Sequence, residues 1–319
     1  MVMTVPKLYI ITPIFNESDC LPTYVATVAS VLLDRKDIDA RVIFVDDGST
    51  DASWQIIEHA CATDERLSAI KLSRNFGSHV AISAGIDFCD SADVVCTLAC
   101  DLQDPPEVIL DFLDKWRDGA QIVWGKRKTR QDKKWKVWAS GIFTRLLQRH
   151  AMPQGSQFCT GSFLLMDKKV VAAFKQFGER NRITFALVAW TGFVQSTVEY
   201  DRVARMAGVS GWSLSRMLKT MYDAFVGFSP LPIKMITATG LTFFIVDLMA
   251  CIYLIICWFV GTSIQGWTSI VVLQLFLFGV LFLMLGIMGE YLSRIYTEVA
   301  GRPLYLVLQH VNIKQIEKL

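Results

Sequence analysis

The sequence predicts an α/β domain with an open, mostly parallel β-sheet, followed by amphipathic helices and two transmembrane helices. Three observations lead to this prediction. Short apolar runs alternate with helix-like segments from Lys7 to about Arg127, polar residues follow several of these runs, and a long apolar region occupies the last third of the chain. Alternating strand and helix patterns are typical of open α/β sheets.

Five apolar runs in the first part of the chain have the length of β-strands. The predicted strands are Leu8–Thr12, Val42–Val45, Ala69–Leu72, Val94–Leu98 and Ile122–Trp124. After the second strand, Gly48–Asp51 predicts a turn that supplies a helix N-cap. The pair Pro105-Pro106 predicts the beginning of another helix, because proline is favoured in the first turn.

Polar and acidic residues follow three of the predicted strands. These segments are Pro13-Ile-Phe-Asn-Glu17, Asp46-Asp47-Gly-Ser49 and Asp101-Leu-Gln-Asp104. Ligands of open sheets bind at the carboxyl ends of strands, so the three segments predict one polar crevice. Carboxylates and an amide there can bind a base and ribose, and hard oxygen ligands can hold a divalent cation that bridges phosphates. Each segment alone is equally explained by a turn or a helix cap.

Two apolar stretches, 233–260 and 268–291, each exceed the roughly 20 residues that a membrane helix requires. They flank the polar link Gly261–Gly266, and the only acidic or basic residue between Met235 and Gly289 is Asp247. A buried all-helical core is the alternative interpretation. An acidic residue in a membrane helix is either a functional group or a packing contact, and the sequence leaves both open.

Basic residues predict the orientation of this helix pair. Lys234 lies at the start of the first stretch and Arg294 follows the second, so both ends of the hairpin are expected on the cytosolic side. The N-terminus enters the first strand without a signal-peptide pattern. We therefore expect a multi-pass protein of the plasma (inner) membrane with its N-terminal domain in the cytosol. Gly279, Gly286 and Gly289 permit close helix approach, which leaves a homo-oligomer open.

Two further segments are amphipathic. Around residues 133–150, Trp135 and Trp138 share a helical face that basic residues surround, and Met217 and Met221 belong to a second apolar stripe, within 211–231. Helices of this kind either lie in the headgroup region of a membrane or pack on the sheet. The proximity of the apolar stretches favours the membrane surface.

Charge and cysteine content exclude other classes of protein. The 32 basic and 30 acidic residues leave a net charge of +2, and no basic block indicates binding to nucleic acid. The eight cysteines include no CxxC pair, so neither a zinc site nor a disulfide framework is predicted.

The ordered set of motifs resembles the polyprenyl-phosphate glycosyltransferases, relatives of dolichol-phosphate mannose synthase that include bactoprenol glucosyltransferases and have a GT-A fold. The resemblance covers nearly the whole chain. Besides the strand-end segments, it depends on Arg74-Asn-Phe-Gly77, Asp101-Leu-Gln-Asp-Pro-Pro-Glu107, Tyr200-Asp-Arg-Val-Ala-Arg205 with Gly208 and Ser210, Gly289-Glu-Tyr-Leu-Ser-Arg-Ile-Tyr-Thr-Glu298 and Gly301-Arg-Pro-Leu-Tyr305.

The resemblance implies a domain organisation and a set of site residues. Residues 1–210 would form the cytosolic GT-A domain, 211–231 an interfacial helix, 232–292 the transmembrane hairpin and 293–319 a cytosolic tail. The nucleotide diphosphate sugar would be held by Pro13, Phe15, Asn16, Glu17 and Asp46 or Asp47. Asp101 and Gln103 would hold Mg²⁺ or Mn²⁺. The candidates for catalysis and for phosphate contacts are Asp101, Arg127, Arg202, Arg205 and Ser210, although a solvated surface position explains each arginine alone equally well.

The chain departs from the family at three positions. Ala99-Cys100-Asp101 stands where many relatives have Asp-x-Asp, an acidic residue common in relatives is missing near Gly161, and Gly211 replaces a lysine. These departures affect metal affinity and the contacts to the lipid phosphate.

The implied reaction is the transfer of a hexose, with UDP-glucose as the first choice of donor, to polyprenyl phosphate with inversion. The second pKa of a phosphate monoester is about 6, so the acceptor oxygen is largely ionised at neutral pH. It therefore needs little help from a general base. The alternatives are an enzyme that extends a polysaccharide and a non-catalytic membrane scaffold with a degenerate nucleotide-sugar site. His79 and His150 have no partner pattern and receive no role.

Overall fold

The structure, a computed structural model, describes residues 5–128, 162–180, 182–203, 231–260 and 266–313. The chain divides into two compact units, Met1–Leu214 with Pro303–Leu319 and Ser215–Arg302. The amphipathic segment 133–150, nearly all of 211–231 and most of the link 261–266 lie outside the described residues, as do Arg205 and Ser210.

Within the described residues of the larger unit, eight strands form one sheet. They are β1 (Lys7–Ile14), β2 (Asp39–Asp46), β3 (Leu67–Leu72), β4 (Val94–Thr97), β5 (Ile122–Arg127), β6 (Leu164–Asp167), β7 (Gln195–Tyr200) and β8 (Val307–Val311). The order across the sheet is β7-β5-β6-β4-β1-β2-β3-β8. Strand β6 is antiparallel to β4 and β5, and β8 is antiparallel to β3, whereas the other neighbours are parallel. The predicted open, mostly parallel sheet and its five predicted strands are confirmed.

The described residues contain eight α-helices. They are α1 (Leu21–Val28), α2 (Ser53–Thr63), α3 (Ser78–Asp87), α4 (Val108–Arg117), α5 (Lys168–Phe174), α6 (Thr184–Trp190), α7 (Leu231–Val260) and α8 (Trp267–Val299). A π-helical segment, Ala29–Leu33, continues α1. The proline pair precedes α4 as predicted, and the backbone carbonyl groups of Pro105 and Pro106 accept the first hydrogen bonds of that helix.

Both faces of the sheet are covered by helices. Successive side chains of β1 point to opposite faces, and buried residues occur on both. Leu8 and Ile10 belong to a core that includes Tyr24 of α1 and Phe112 of α4. On the opposite face, α3 crosses β1 at Gly85, where a Cβ atom would lie 2.5 Å from Ile11 Cγ2. A glycine is therefore needed for this close contact between helix and strand.

The sheet reverses its order at β1. Strands β2 and β3 lie on one side of it, and β4, β6 and β5 lie on the other. In open α/β sheets such a reversal of strand order leaves a crevice beyond the carboxyl ends of the two central strands, where ligands bind. The loops after β1 and β4 border this crevice, and the loop after β2 adjoins it.

The segment after α8 returns to the sheet, which the sequence pattern did not indicate. Strand β8 pairs with β3 from Ala69, opposite Val311, to Leu72, opposite Val307. The Ser73 N–H donates a 2.9 Å hydrogen bond to the Leu306 carbonyl and extends this pairing. Residues 303–313 thus belong to the same fold as the N-terminal domain.

The smaller unit contains α7 and α8, the two segments predicted as apolar helices. They pack antiparallel, since Phe243 contacts Phe276 at a ring distance of 5.9 Å and Gly240 lies beside Met284. Helix α8 continues to Val299, beyond its predicted end. By length and composition, one stretch of the described residues, Phe276–Val299, is apolar enough to cross a membrane.

Candidate active site

The loops after β1 and β2 are joined by hydrogen bonds through Asn16. Its backbone has φ 55°, a left-handed conformation that asparagine tolerates better than most residues. The Asn16 N–H donates to Ser49 Oγ at 3.0 Å, and the Thr50 N–H donates to Asn16 Oδ1 at 2.8 Å. Asn16 therefore holds the two loops together at the edge of the crevice.

Asp51 of the predicted turn and Ser53, the first residue of α2, provide further links between these loops. Asp51 accepts from the N–H groups of Ser18 and Ser53, and Ser53 Oγ accepts from the Glu17 N–H at 3.0 Å. The predicted cap is present in modified form, since Asp51 precedes the N-cap Ala52 and accepts the N–H of the first helical residue. These hydrogen bonds fix the loop that contains Glu17.

The paired aspartates at the end of β2 have different partners. Asp47 is 3% exposed, and its two oxygens accept the N–H groups of Phe76 at 2.7 Å and Gly77 at 2.8 Å. Asp46 is fully buried; its Oδ1 accepts from the Ser49 N–H, whereas its Oδ2 has no hydrogen-bond partner among the described residues. Asp47 thus anchors a loop, whereas one oxygen of Asp46 is buried without a hydrogen-bond partner among the described residues.

Burial raises the pKa of Asp47, and the two backbone N–H donors oppose that rise because they favour the carboxylate. The loop that Asp47 anchors also passes close to Gly48, which has φ +74°. A Cβ atom on Gly48 would lie 2.6 Å from the Arg74 carbonyl carbon. This close approach of two backbones explains the glycine in the Asp-Asp-Gly-Ser motif.

The remaining nucleotide-site candidates lie at the end of β1. Pro13 is paired within the sheet opposite Val45, and Phe15 follows the strand with 45% of its surface exposed. An exposed aromatic ring at a strand end can stack on a planar base. The structure therefore brings Pro13, Phe15, Asn16 and Asp46 to the same strand ends.

Asp101 and Gln103 lie in the loop after β4. Asp101 is 8% exposed, and its Oδ1 accepts from the Gln103 N–H at 3.3 Å. Leu102 between them has φ 50°, which makes a tight turn. The two predicted metal ligands are thereby held next to each other.

The donor set of this loop fits a hard divalent cation. Among the described residues no group of three or more His, Cys, Asp or Glu side chains is arranged around a metal position. Magnesium commonly binds one or two carboxylates and completes its octahedron with waters and substrate phosphates. One carboxylate and one amide oxygen, as Asp101 and Gln103 offer, suit that kind of site.

Asp104 connects the same loop to the ends of two other strands. It is 1% exposed, and its Oδ1 accepts a 2.5 Å hydrogen bond from the Tyr200 hydroxyl at the end of β7. Arg202 Nε lies 3.3 Å and Arg127 Nε 3.9 Å from the same oxygen. The arginines at positions 127 and 202 therefore converge on one carboxylate.

The sequence predicts the strand ends but not the roles of three residues that organise them, Asp104, Ser49 and Ser53. Asp104 belongs to a motif already recognised, yet its role depends on Tyr200, which is distant in sequence. Ser49 and Ser53 accept hydrogen bonds from the β1 loop. Repeated serines after paired aspartates were the only signal for this role. Arg205 and Ser210 lie outside the described residues.

A family model described as glycosyl transferase family 2 matches residues 9–174, a little over half of the chain. The matched region contains the strand ends after β1, β2 and β4. The chain belongs to glycosyl transferase family 2. The family match and the observed sheet support the GT-A form of the α/β fold.

Relatives of this family 2 glycosyltransferase match along almost the full chain. An uncharacterised glycosyltransferase of Synechocystis sp. is 38% identical over 94% of both chains. The bactoprenol glucosyl transferase of Shigella phage SfII is 33% identical over 94% of this chain and 97% of its own. The prophage bactoprenol glucosyl transferase homologue of Escherichia coli K12 is 31% identical over 94% of this chain and 98% of its own. The resemblance to polyprenyl-phosphate glycosyltransferases is confirmed.

One matching solved structure is more distant from this family 2 enzyme than these relatives are. Glucosyl-3-phosphoglycerate synthase of Mycobacterium tuberculosis covers 69% of this chain and 78% of its own, with a TM-score of 0.48 and 14% identity. At that distance the likeness adds nothing to the family assignment.

Proposed function

We propose that this enzyme transfers a hexose, glucose in the first instance, from UDP-glucose to polyprenyl phosphate with inversion at the anomeric carbon. The observation that carries the proposal is the match to proteins named bactoprenol glucosyl transferase, which extends over 94% of this chain and so includes its apolar helices. A soluble glycosyltransferase domain alone would not require those helices.

The buried Asp46 Oδ2 supports binding of the nucleotide. This oxygen is removed from water without a protein donor among the described residues, which is costly unless a ligand supplies one. A base N–H or a ribose hydroxyl is a suitable donor. We assign Asp46, Pro13, Phe15, Asn16 and Glu17 to the nucleotide, and Asp47 to the loop that borders it.

Asp101 and Gln103 would hold Mg²⁺ or Mn²⁺ together with the diphosphate. When bound, the cation neutralises charge on the departing nucleoside diphosphate. The protein itself contributes the alignment of donor and acceptor and the basic side chains near both. In this proposal those side chains are Arg127, Arg202 and Arg205, and Ser210 is a further candidate from the sequence motif.

The acceptor oxygen belongs to a phosphate monoester, which is largely ionised near neutral pH because its second pKa is about 6. It therefore attacks the anomeric carbon without prior removal of a proton. The bond from the anomeric carbon to the diphosphate breaks as the bond to the phosphate oxygen forms. Attack from the opposite face gives inversion.

The pairing of β8 with β3 supports a two-helix hairpin. Both strands belong to one sheet, so the residues before α7 and after α8 must lie on the same side of any membrane that the chain crosses. An odd number of crossings is incompatible with this sheet. Since α7 packs antiparallel to α8, we propose that both cross the inner membrane and that residues 261–266 face away from the cytosolic domain.

The remaining domain assignments follow from this arrangement. We propose that residues 1–210 form the cytosolic domain, with segments 133–150 and 211–231 at the membrane surface. A lipid phosphate stays close to the headgroup plane because its chain avoids water. An interfacial placement would bring the strand-end crevice to the acceptor.

A transfer assay tests the proposed function. Purified full-length protein is given labelled UDP-glucose or another nucleotide sugar, a short polyprenyl phosphate and Mg²⁺ or Mn²⁺, and the lipid product is measured. We expect a polyprenyl-phosphate hexose that requires the lipid phosphate. Extension of a glycan without the lipid would indicate a polysaccharide synthase, and absence of turnover with every nucleotide sugar would indicate a scaffold.

Cysteine labelling in intact cells tests the topology. A cysteine introduced at Gln265 is expected to react with an impermeant maleimide, whereas one introduced at Gln309 of β8 is expected to be protected until the membrane is opened. Labelling of both from the same side would contradict the hairpin.

A further inference from the structure

We propose that Asp104 is a positioning residue that fixes Arg127 and Arg202 in the orientation in which they bind a phosphate group. The proposal rests on the function proposed above, because that function supplies the phosphate ligands. It assigns a specific task to the buried Asp104 carboxylate. The contacts described for this carboxylate are with Tyr200, Arg127 and Arg202.

One oxygen of Asp104, Oδ1, contacts residues at the ends of two other strands. Tyr200 Oη donates to Oδ1 at 2.5 Å, Arg202 Nε lies at 3.3 Å, and Arg127 Nε lies at 3.9 Å. Arg127 ends β5, and Tyr200 ends β7. The carboxylate therefore sits where the loop after β4 meets the ends of two parallel neighbours.

The position of Tyr200 is itself tightly determined. Its ring packs edge-on against Phe163 at 5.5 Å, and a Cβ atom on Gly125 would lie 2.9 Å from Tyr200 Cε1. Glycine at position 125 thus allows the ring to lie against β5 and directs its hydroxyl group to Asp104. Burial and the negative charge of Asp104 raise the pKa of Tyr200, so the hydroxyl remains a donor at neutral pH.

The charge balance of this cluster favours an anion. Among the described residues of this cluster, one carboxylate faces two guanidinium groups, which leaves one positive charge in excess. Each arginine side chain is 31% exposed, whereas Asp104 is buried. The nitrogen paired with Asp104 is Nε in both ion pairs, at 3.3 Å for Arg202 and at 3.9 Å for Arg127, whose Nε forms no hydrogen bond with the described residues. The terminal nitrogens of both guanidinium groups carry further N–H donors, and such donors bind phosphate oxygens in pairs.

The cluster is joined to the loop that carries the proposed metal ligands. The Val203 N–H, next to Arg202, donates a 3.0 Å hydrogen bond to the Gln103 carbonyl. A phosphate held by the arginines would therefore lie near a group bound at Asp101. The donor diphosphate and the lipid phosphate share this chemistry, and the experiment distinguishes them.

The test compares Asp104→Asn and Tyr200→Phe with the control Asp111→Asn, which neutralises an exposed carboxylate in the first turn of α4. Calorimetry on the full-length protein measures the dissociation constants of UDP and of dodecyl phosphate, and thermal unfolding is recorded in parallel. Since one charge-assisted hydrogen bond depends on the geometry, we expect about tenfold weaker binding of one ligand in both variants. The control should bind both ligands as the wild type does.

Weaker binding of UDP alone would place the arginines on the donor diphosphate, and weaker binding of dodecyl phosphate alone would place them on the acceptor; either result supports the proposal. Unchanged binding of both ligands would overturn it. A lower melting temperature with equal loss of both ligands would indicate a structural role and would also overturn it. If Asp104→Asn fails to fold, Tyr200→Phe decides.

Failure of the wild type to transfer sugar would count against the proposed function. The binding measurements do not depend on sugar transfer, so they test the role of Asp104 separately.

Discussion

The Tyr305 hydroxyl donates a 2.8 Å hydrogen bond to Asp87 Oδ2 at the end of α3. This bond connects the segment after the second apolar helix to a helix of the N-terminal domain. Strand β3, which the same segment covers, leads through Ser73 into the Arg74–Gly77 loop that Asp47 anchors. The C-terminal segment therefore stabilises the surroundings of the proposed nucleotide site.

We predict that Tyr305→Phe lowers the free energy of unfolding by about 1 kcal/mol, because it removes one solvent-exposed hydrogen bond. Thermal or denaturant unfolding in detergent measures the change. A double-mutant cycle with Asp87→Ala should show that the two substitutions are not additive. Additive losses would mean that the hydroxyl and the carboxylate act independently.

The two aspartates at the end of β2 should respond differently to replacement by asparagine. Asp46→Asn turns the unpaired acceptor into a donor, and we expect it to weaken UDP binding about tenfold or more with little effect on unfolding. Asp47→Asn places an amide NH₂ against the N–H of Phe76 or Gly77, so it should destabilise the fold by about 1–3 kcal/mol. Calorimetry with UDP and thermal unfolding separate the two effects. A loss of stability in Asp46→Asn, with weaker UDP binding in Asp47→Asn, would show that the two roles are reversed.

Gly48→Ala is predicted to be more damaging than Gly119→Ala. Both glycines have positive φ, so alanine costs about 1–2 kcal/mol at either position. Only at Gly48 would the added methyl group also collide with backbone, that of Arg74, since nothing described lies within 4 Å of a Cβ on Gly119. Gly48→Ala should therefore show the larger fall in melting temperature and weaker UDP binding. Equal effects would show that strain alone matters.

Asp101→Ala should reduce sugar transfer at least about 100-fold, because charge stabilisation of the departing diphosphate would be lost with the cation. Gln103→Ala should cause a smaller loss, since a neutral amide contributes less to cation binding than a carboxylate. Binding of Mn²⁺ in the presence of UDP, followed by paramagnetic relaxation, provides a readout independent of turnover. Asp118→Asn, at the exposed end of α4, is the control. Unchanged Mn²⁺ binding in Asp101→Ala would refute the ligand assignment.

His79 should make stability depend on pH below neutrality. Burial lowers the pKa of its imidazole to about 4, whereas an unfolded histidine titrates near about 6.5. Between these values the unfolded state binds a proton that the folded state does not, so the free energy of unfolding should decrease as the pH falls from 6.5 towards 4.

Replacement of His79 by phenylalanine, which can keep the edge-on contact with Phe185, should remove this part of the pH dependence. Unfolding curves of wild type and variant between about pH 7 and pH 5 test the prediction, because most carboxylates stay ionised in that range. Parallel curves for the two proteins would show that the imidazole is not buried in its neutral form.

The sequence was sufficient for the strands, the two apolar helices and the family. Runs such as Val42–Val45 and Val94–Thr97 are fully buried, and a strand that is buried along its whole length must be apolar whatever its neighbours are. The polar segments after these strands were also visible, because polar residues that interrupt an apolar pattern mark the strand ends. Local composition determined these features.

Only the tertiary structure showed that neighbouring residues of the same type have different hydrogen-bond partners. Asp46 and Asp47 are adjacent and identical in sequence, yet Asp47 accepts two N–H groups from a loop about thirty residues away, and this distant pairing assigns them different roles. Strand β8 was equally hidden, since an edge strand with exposed polar residues lacks a distinctive pattern. The contacts of Asp104 with Tyr200 and Arg202 likewise depend on the order of strands in the sheet. Hydrogen-bond partners that are distant in sequence are set by chain topology, which local patterns do not encode.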